Sequence, residues 1–154
     1  MLERSVHWVV KASGSKIKVA LDVPQDIPVS GSAGQMQQVL VNLVQNAIDS
    51  TERQADARLD ISGELRSRSV VLTFRDNGAG FRQEALDKMF DPFFTTKPVG
   101  KGTGLGLSIS YGIVERHRGQ LKAANHPEGG AVLTLTLPLS GTPGGGYEDS
   151  TKTS

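Results

Sequence analysis

The sequence predicts an α+β fold, a two-layer α/β sandwich whose mixed, mostly antiparallel sheet carries about three helices on one face. Several short segments alternate apolar and polar residues, which is the pattern of strands with one buried face. Two longer segments are apolar around most of their circumference, so they are expected to be buried helices. Near the C-terminal end, two alternating segments flank a Pro-Glu-Gly-Gly turn, which predicts an antiparallel hairpin. A chain of 154 residues suffices for one such domain with its own core.

The N-terminal third supplies a strand and the longest helix. Residues 16–23 alternate, and prolines follow the segment, so a half-buried strand is predicted there. A helix is predicted over 33–51, after a Ser-Gly-Ser sequence that suits a helix start. Residues 1–15 leave two possibilities open, a strand or a short packing helix, because Val9 interrupts an otherwise alternating pattern. The other predicted elements are strands over 57–65 and 69–75, a short helix over 82–90, a helix over 105–118, and strands over 120–125 and 131–137.

Composition excludes several classes of function. The formal net charge is +1, so binding to the phosphate backbone of a nucleic acid is not expected. The absence of cysteine excludes disulfides, thiolate zinc sites and thiol nucleophiles. No apolar run reaches the length of about 18 residues that a membrane span needs. Glycine is abundant, with 18 residues in 154, or about 12% against a usual ~7%.

The helix predicted over 33–51 has an unusual polar stripe. Its members lie on one helical face and are mostly amides rather than the lysines and glutamates of a solvated surface. Amides on an otherwise apolar helix suit a ligand that needs neutral oxygens and N–H donors. Hydrogen bonds to neighbouring backbone would explain them equally well. The stripe consists of Gln38, Asn42, Gln45, Asn46 and Asp49.

Two glycine-containing segments are also candidate sites. In the turn at 76–80, Asp76 can accept a hydrogen bond from an exocyclic amine while glycines admit a flat ring, although DNG is also an ordinary turn. In the segment 100–108, alternating glycines precede a helix, and Lys97 and Lys101 lie nearby. Bare backbone amides at a helix start form a natural phosphate cradle. The spacing fits neither a Walker loop nor a Rossmann fingerprint.

Four ordered motifs resemble those of the sensor histidine kinase catalytic domains, members of the Bergerat (GHKL) ATP-binding superfamily. They are NLVQNA at 42–47, DNGAG at 76–80, FDPFF at 90–94 and GKGTGLGL at 100–107, similar to the N, G1, F and G2 boxes. The resemblance spans about 30–138. It implies the Bergerat fold, a domain over 1–140 and an ATP lid over about 82–103. After Pro138 the composition changes to small and polar residues, which predicts a disordered tail or the start of a linker over 141–154.

The resemblance also implies residue roles. Asp76 would accept from the adenine amino group, Gly78 and Gly80 would make room for the base, and Asn46 would bind Mg²⁺. Asn42, one turn earlier, would line the phosphate cavity and share the catalytic work of positioning. One departure is Ala131, where relatives often have threonine beside the adenine, so either Thr134 or a nearby water is expected to take that place. Further nucleotide-binding residues would be Asp49, Phe90, Lys97, Lys101, Gly102, Thr103, Gly104, Leu105 and Gly106.

The implied reaction is transfer of the ATP γ-phosphoryl group to a histidine. The ATP-hydrolysing relatives have a glutamate where this chain has Asn42, and an amide is no general base, so rapid hydrolysis is not expected. His7, His117 and His126 lack the setting of family acceptors. They are predicted to be, in that order, a packing residue beside Trp8, a helix C-terminal cation and a turn residue. We therefore expect the acceptor on a separate dimerisation and phosphoacceptor domain.

That expectation defines the partners and the alternatives. Partners would be ATP with Mg²⁺, the helical acceptor domain and a downstream response regulator, with the isolated domain a monomer and the full kinase a homodimer. The location would be cytoplasmic, with the full kinase membrane-anchored or not. Two alternatives stay open, namely a Bergerat ATPase or serine kinase such as an anti-sigma factor, and an interaction module that no longer binds nucleotide.

Overall fold

A computed structural model of the chain describes residues 2–24, 32–88 and 106–139. No helix in these ranges is long and apolar enough to cross a membrane. The elements are α1 (Leu2–Ser13), β1 (Lys18–Asp22), α2 (Ala33–Ser50), β2 (Arg58–Leu65), β3 (Ser69–Asp76), α3 (Gln83–Lys88), α4 (Gly106–Arg116), β4 (Gln120–Asn125) and β5 (Ala131–Pro138).

The strands form a five-stranded mixed sheet in the order β1-β2-β3-β5-β4. Strand β1 pairs with β2 in parallel, and the other three pairings are antiparallel. The predicted mixed, mostly antiparallel sheet is confirmed. In its centre, Leu72 of β3 lies opposite Leu135 of β5, so the strand ending at Asp76 is held on both sides.

The core lies between one face of the sheet and the helices. Alternate residues of β3 and β5 are buried, and the residues between them are only partly so, because a strand points successive side chains to opposite faces. Val39 and Val44 of α2 are fully buried in the same cluster. Helix α2 contacts α1, α4 and β3. The predicted two-layer arrangement is therefore confirmed, and α2 is its central helix.

The N-terminal segment, which the sequence left open, is a helix. Val6 and Val9 of α1 are buried against the core, so the residue that interrupts a strand pattern completes a helical one. The expectation that His7 packs beside Trp8 is wrong, because both side chains are exposed, Trp8 by 64%. Strand β1 is shorter and more exposed than predicted, since it lies at the edge of the sheet and Leu21 is 37% exposed.

The end of α4 is tied to the start of α2 by His117. The ring Nε2 accepts a hydrogen bond from the backbone N–H of Ser32, at 3.1 Å, while Nδ1 lies 2.8 Å from the Ile113 carbonyl. These two contacts make His117 a link between α4 and the start of α2, a role that the sequence analysis did not predict. Ser32 in turn caps α2, since its Oγ accepts from Gln35 N at 3.2 Å.

Candidate functional site

The Asp76 carboxylate lies at the end of the central strand β3 and is only 4% exposed. Oδ1 accepts hydrogen bonds from the backbone N–H groups of Gly78, at 2.8 Å, and Ala131, at 3.2 Å. Oδ2 accepts from the Ser50 hydroxyl at 2.9 Å. Within the described residues no cation pairs with Asp76, so these three donors stabilise the buried charge.

This hydrogen bonding leaves Asp76 able to bind one more donor. A carboxylate offers about four acceptor positions on its two oxygens. Oδ1 has two donors and Oδ2 has one, Ser50. One acceptor position of Oδ2 therefore remains, on a carboxylate that cannot rotate without losing its other bonds. A fixed, buried acceptor of this kind can select an amine over a carbonyl at the same place on a ring.

Glycines shape the turn that follows Asp76. A Cβ at Gly78 would lie 2.4 Å from the carbonyl oxygen of Ser50, so the turn approaches the end of α2 more closely than any other residue allows. Gly80 has a φ of +81°, a conformation that side chains with a Cβ rarely adopt. The sequence analysis predicted that these glycines make room for a flat ring; the close approach seen at Gly78 is to α2, and room for a base stays a prediction.

The polar stripe of α2 divides into satisfied and unsatisfied groups. Asn42 donates from Nδ2 to the hydroxyl of Ser110, at 3.0 Å, and Ser110 is a fully buried residue of α4. Gln45 donates to Asp49 Oδ1 at 3.0 Å, one turn along the helix. Asn46 is only 9% exposed, yet its side chain makes no hydrogen bond to any residue in the described part of the chain. The partners of Asn42 and Gln45 are side chains rather than the neighbouring backbone that the sequence analysis considered.

An unpartnered buried amide costs stability, of the order of 1–3 kcal/mol. Asn46 therefore suits a group that arrives from outside the chain. No cluster of three acidic, histidine or cysteine side chains exists in the described ranges. A metal ion beside α2 could combine the Asn46 amide oxygen with oxygens of a ligand or water. Mg²⁺ accepts this kind of set, because it keeps several waters and binds through few protein oxygens plus phosphates.

Several predicted site residues lie outside the described residues. Gly106 is described, as the first residue of α4, and its N–H belongs to the unpaired amides of a helix start. The predicted lid over 82–103 is described only up to Lys88, where α3 ends. The predicted tail over 141–154 lies outside, as do Phe90, Lys97, Lys101, Gly102, Thr103, Gly104 and Leu105.

The structure does not bring Thr134 to Asp76. Thr134 pairs with Thr73 of β3 and Lys122 of β4, and residues opposite one another in a sheet share a face. Asp76 is three residues from Thr73, so its side chain points to the other face, toward the helices. The expectation that Thr134 lines the base site does not agree with this placement.

Three groups at the site were missed by the sequence analysis. Ser50 and the backbone N–H of Ala131 bind the Asp76 carboxylate, and Asn125 binds the backbone of Phe81. A backbone N–H has no sequence signal, because every residue but proline carries one. Ser50 could have been suspected, since it ends a helix whose polar stripe was already noted.

The comparison with protein families decides what this arrangement is. Residues 31–141, more than half of the chain, match the family described as histidine kinase-, DNA gyrase B-, and HSP90-like ATPase. The chain belongs to this ATPase family. Membership implies nucleotide binding, and it agrees with the four motifs and with the sheet and helices described above.

Named relatives place the domain among sensor histidine kinases. The chain is 43% identical over 131 residues to the C4-dicarboxylate transport sensor protein DctB of Pseudomonas aeruginosa, covering 83% of this chain and 21% of that protein. It is 35% identical over 127 residues to the signal transduction histidine-protein kinase BaeS of Escherichia coli, covering 80% of this chain and 27% of BaeS. The chain thus spans about a quarter of the length of these relatives.

Solved structures give the same result. The catalytic domain of histidine kinase ThkA matches with a TM-score of 0.74 and 32% identity, over 89% of this chain and 93% of that one. ThkA in complex with the response regulator protein TrrA matches with a TM-score of 0.74 and 30% identity, over 90% of this chain and 40% of that one. This ATPase-family chain therefore corresponds to the catalytic, ATP-binding domain of sensor histidine kinases.

Proposed function

We propose that this domain binds ATP with Mg²⁺ and transfers the γ-phosphoryl group to a histidine on a separate dimerisation and phosphoacceptor domain of the same kinase. One observation supports it above the others. Asp76 is buried, fixed by three donors, and keeps one acceptor position free. The 6-amino group of adenine is a donor that fits this position, whereas the carbonyl of guanine or hypoxanthine would meet the carboxylate acceptor to acceptor.

The triphosphate would extend from Asp76 along α2 toward the start of α4. Asn46 would bind Mg²⁺ through its amide oxygen, and the ion when bound neutralises phosphate charge. Asn42, held on Ser110 of α4, would line the phosphate cavity. Asp49 would lie beside it. Phosphate donors would come from Lys97, Lys101, Gly102, Thr103, Gly104, Leu105 and Gly106, and Phe90 would contact the nucleotide.

Catalysis would rest on positioning. An amide at Asn42 is no general base, so this chain lacks at that point the group that activates water in hydrolysing relatives. The domain would hold the γ-phosphoryl group for an incoming imidazole nitrogen, while buried carboxylate and amides keep the nucleotide in one orientation. His117 is engaged on both ring nitrogens, and His126 Nδ1 accepts from Glu128 N at 3.0 Å, which suits structural roles.

The rest of the proposed assembly follows from this reaction. The domain would occupy residues 1–140 and act in the cytoplasm, where ATP is supplied, within a homodimeric kinase that passes the phosphoryl group to a response regulator. The isolated domain would be a monomer.

Calorimetry and radiolabelling test the proposal together. ADP should bind the chain, more tightly with Mg²⁺ than with EDTA. Label from γ-labelled ATP should not accumulate on this chain alone, and it should reach a histidine of the acceptor domain supplied as a separate protein. Absence of ADP binding would contradict the nucleotide site. Self-labelling, or label on serine, would contradict the histidine transfer.

A further inference from the structure

The side chain of Asn125 binds the backbone of a residue 44 positions away. Asn125 is the last residue of β4. Its Oδ1 accepts from the Phe81 N–H at 2.7 Å, and its Nδ2 donates to the Phe81 carbonyl, also at 2.7 Å. One side chain thus makes with Phe81 the pair of hydrogen bonds that two antiparallel strand residues exchange.

These bonds lie close to the carboxylate of the nucleotide site. Asn125 is the strand partner of Ala131, whose N–H binds Asp76 Oδ1 at 3.2 Å. The β4–β5 hairpin therefore holds both ends of the turn over 76–81, Asp76 through Ala131 and Phe81 through Asn125. Between them lies Gly80, where an added Cβ would be 2.8 Å from Asn125 Oδ1.

We propose that Asn125 is a positioning residue for base recognition, which holds the turn over 76–81 in the shape that accepts adenine. This inference rests on the proposed nucleotide function and extends it to a residue outside the four motifs. Asparagine suits the task because its short amide supplies a donor and an acceptor together. Aspartate lacks the donor, and alanine lacks both.

A positioning role for Asn125 and a purely structural role predict different effects when the side chain is replaced. Asn125 is exposed, so removing its two bonds costs the fold little. Asp76 would keep its three donors, but the turn would lose one of its two attachments to the hairpin, so the backbone that follows Asp76 would no longer be held in one shape beside the base. The loss should therefore fall on ligands that use the 6-amino group. Inosine diphosphate has a carbonyl in place of the 6-amino group, so it is the control ligand for ADP.

The experiment measures Kd for ADP and for inosine diphosphate, with Mg²⁺, in wild type, Asn125→Ala and Asn125→Asp. We expect Asn125→Ala to weaken ADP binding about tenfold and to leave inosine diphosphate unchanged, so that the preference for ADP falls. Asn125→Asp keeps an acceptor for Phe81 N but sets a carboxylate oxygen against the Phe81 carbonyl, so it should weaken ADP binding at least as much as alanine does. Glu128→Ala, in the same hairpin, is the control and should match wild type.

Several outcomes would overturn the inference. A wild-type preference for ADP in Asn125→Ala would do so, and so would equal losses for both ligands, because a merely structural defect weakens them together. If Asn125→Ala fails to fold in thermal unfolding, Asn125→Asp decides by the same two measurements. A wild-type chain that binds neither ligand would instead contradict the proposed function itself, which keeps the two failures distinct.

Discussion

The two ends of the proposed nucleotide site are built differently. At the Asp76 end, a buried carboxylate is surrounded by donors of the chain itself, from Ser50, Gly78 and Ala131. At the α2 end, Asn46 is also buried, with 9% exposure, but its side chain has no hydrogen-bond partner among the described residues. One end is complete without ligand except for a single acceptor position, and the other leaves a polar group unsatisfied.

This difference indicates how each end recognises its ligand. A charge cannot be buried without compensation, so the carboxylate needs its donors even in the empty domain, and they fix its direction. Burying a neutral amide without a partner costs far less free energy than burying a charge. Asn46 can therefore stay unpaired until a ligand supplies the missing interaction. The base would therefore meet a rigid acceptor. The metal and phosphates would instead supply the partner that the Asn46 amide lacks.

The largest effect on ADP binding is expected at the Asp76 end of the site. Asp76→Asn keeps the size of the side chain but removes the charge, and its Nδ2 would direct N–H groups toward the 6-amino group. Loss of a charged hydrogen bond and a donor–donor contact should weaken ADP binding by at least about a hundredfold. Calorimetry with ADP measures it.

Asp22→Asn is the matched control, because Asp22 is an exposed carboxylate at the end of another strand. It should bind ADP as wild type does. Circular dichroism should show that Asp76→Asn is folded. A folded Asp76→Asn variant with unchanged Kd would mean that the carboxylate does not contact the base.

A smaller effect on binding, without a loss of stability, is expected at Asn46. Asn46→Ala should weaken ADP binding about tenfold when Mg²⁺ is present, because the amide oxygen no longer binds the ion. In EDTA the variant and the wild type should bind equally. The midpoint of thermal unfolding should not fall, since the variant no longer buries an unpaired amide.

Gln37→Ala is the control for this variant, since Gln37 is an exposed amide on the same helix. Its ADP affinity should be unchanged with and without Mg²⁺. An equal loss of affinity for Asn46→Ala in Mg²⁺ and in EDTA would show that Asn46 contacts the nucleotide rather than the ion. A fall in the unfolding temperature would show that the amide is not unsatisfied.

The sequence predicted the fold for a physical reason. Apolar periodicity reports which face of an element is buried, so β3, β5 and α2 were placed within one or two residues of their observed bounds. The segment before Gly14 was ambiguous, because a strand and a short helix both accommodate its valines. Only packing against α2 decides between them.

Other features depend on contacts between distant residues, and no local pattern reports them. His117 was assigned a role only at its own helix end, but its ring also binds the backbone N–H of Ser32, 85 residues earlier. Thr134 was assigned to the base site from its nearness in sequence to Ala131. The alternation of β5 puts the two side chains on opposite faces of the sheet.

The smallest expected effect tests whether the donors around Asp76 serve binding or only folding. Ser50→Ala removes the one hydroxyl that binds Oδ2, the oxygen with the remaining acceptor position. The carboxylate would keep its two bonds through Oδ1 and would rotate about them. Loss of a single neutral-to-charged bond of this kind should weaken ADP binding about threefold to tenfold, measured by calorimetry.

Thr51→Val is the matched control, because Thr51 is buried beside Ser50 and its hydroxyl binds only helix carbonyls, of Ala47 at 2.7 Å and Ile48 at 3.3 Å. Both variants lose a hydroxyl at the C-terminal end of α2, where Thr51 is the capping residue. Both should unfold at a lower temperature than wild type. Only Ser50→Ala should bind ADP more weakly. If Thr51→Val weakens binding as much, then the end of α2 affects the site through its stability, and the fixed direction of Asp76 is not what selects the base.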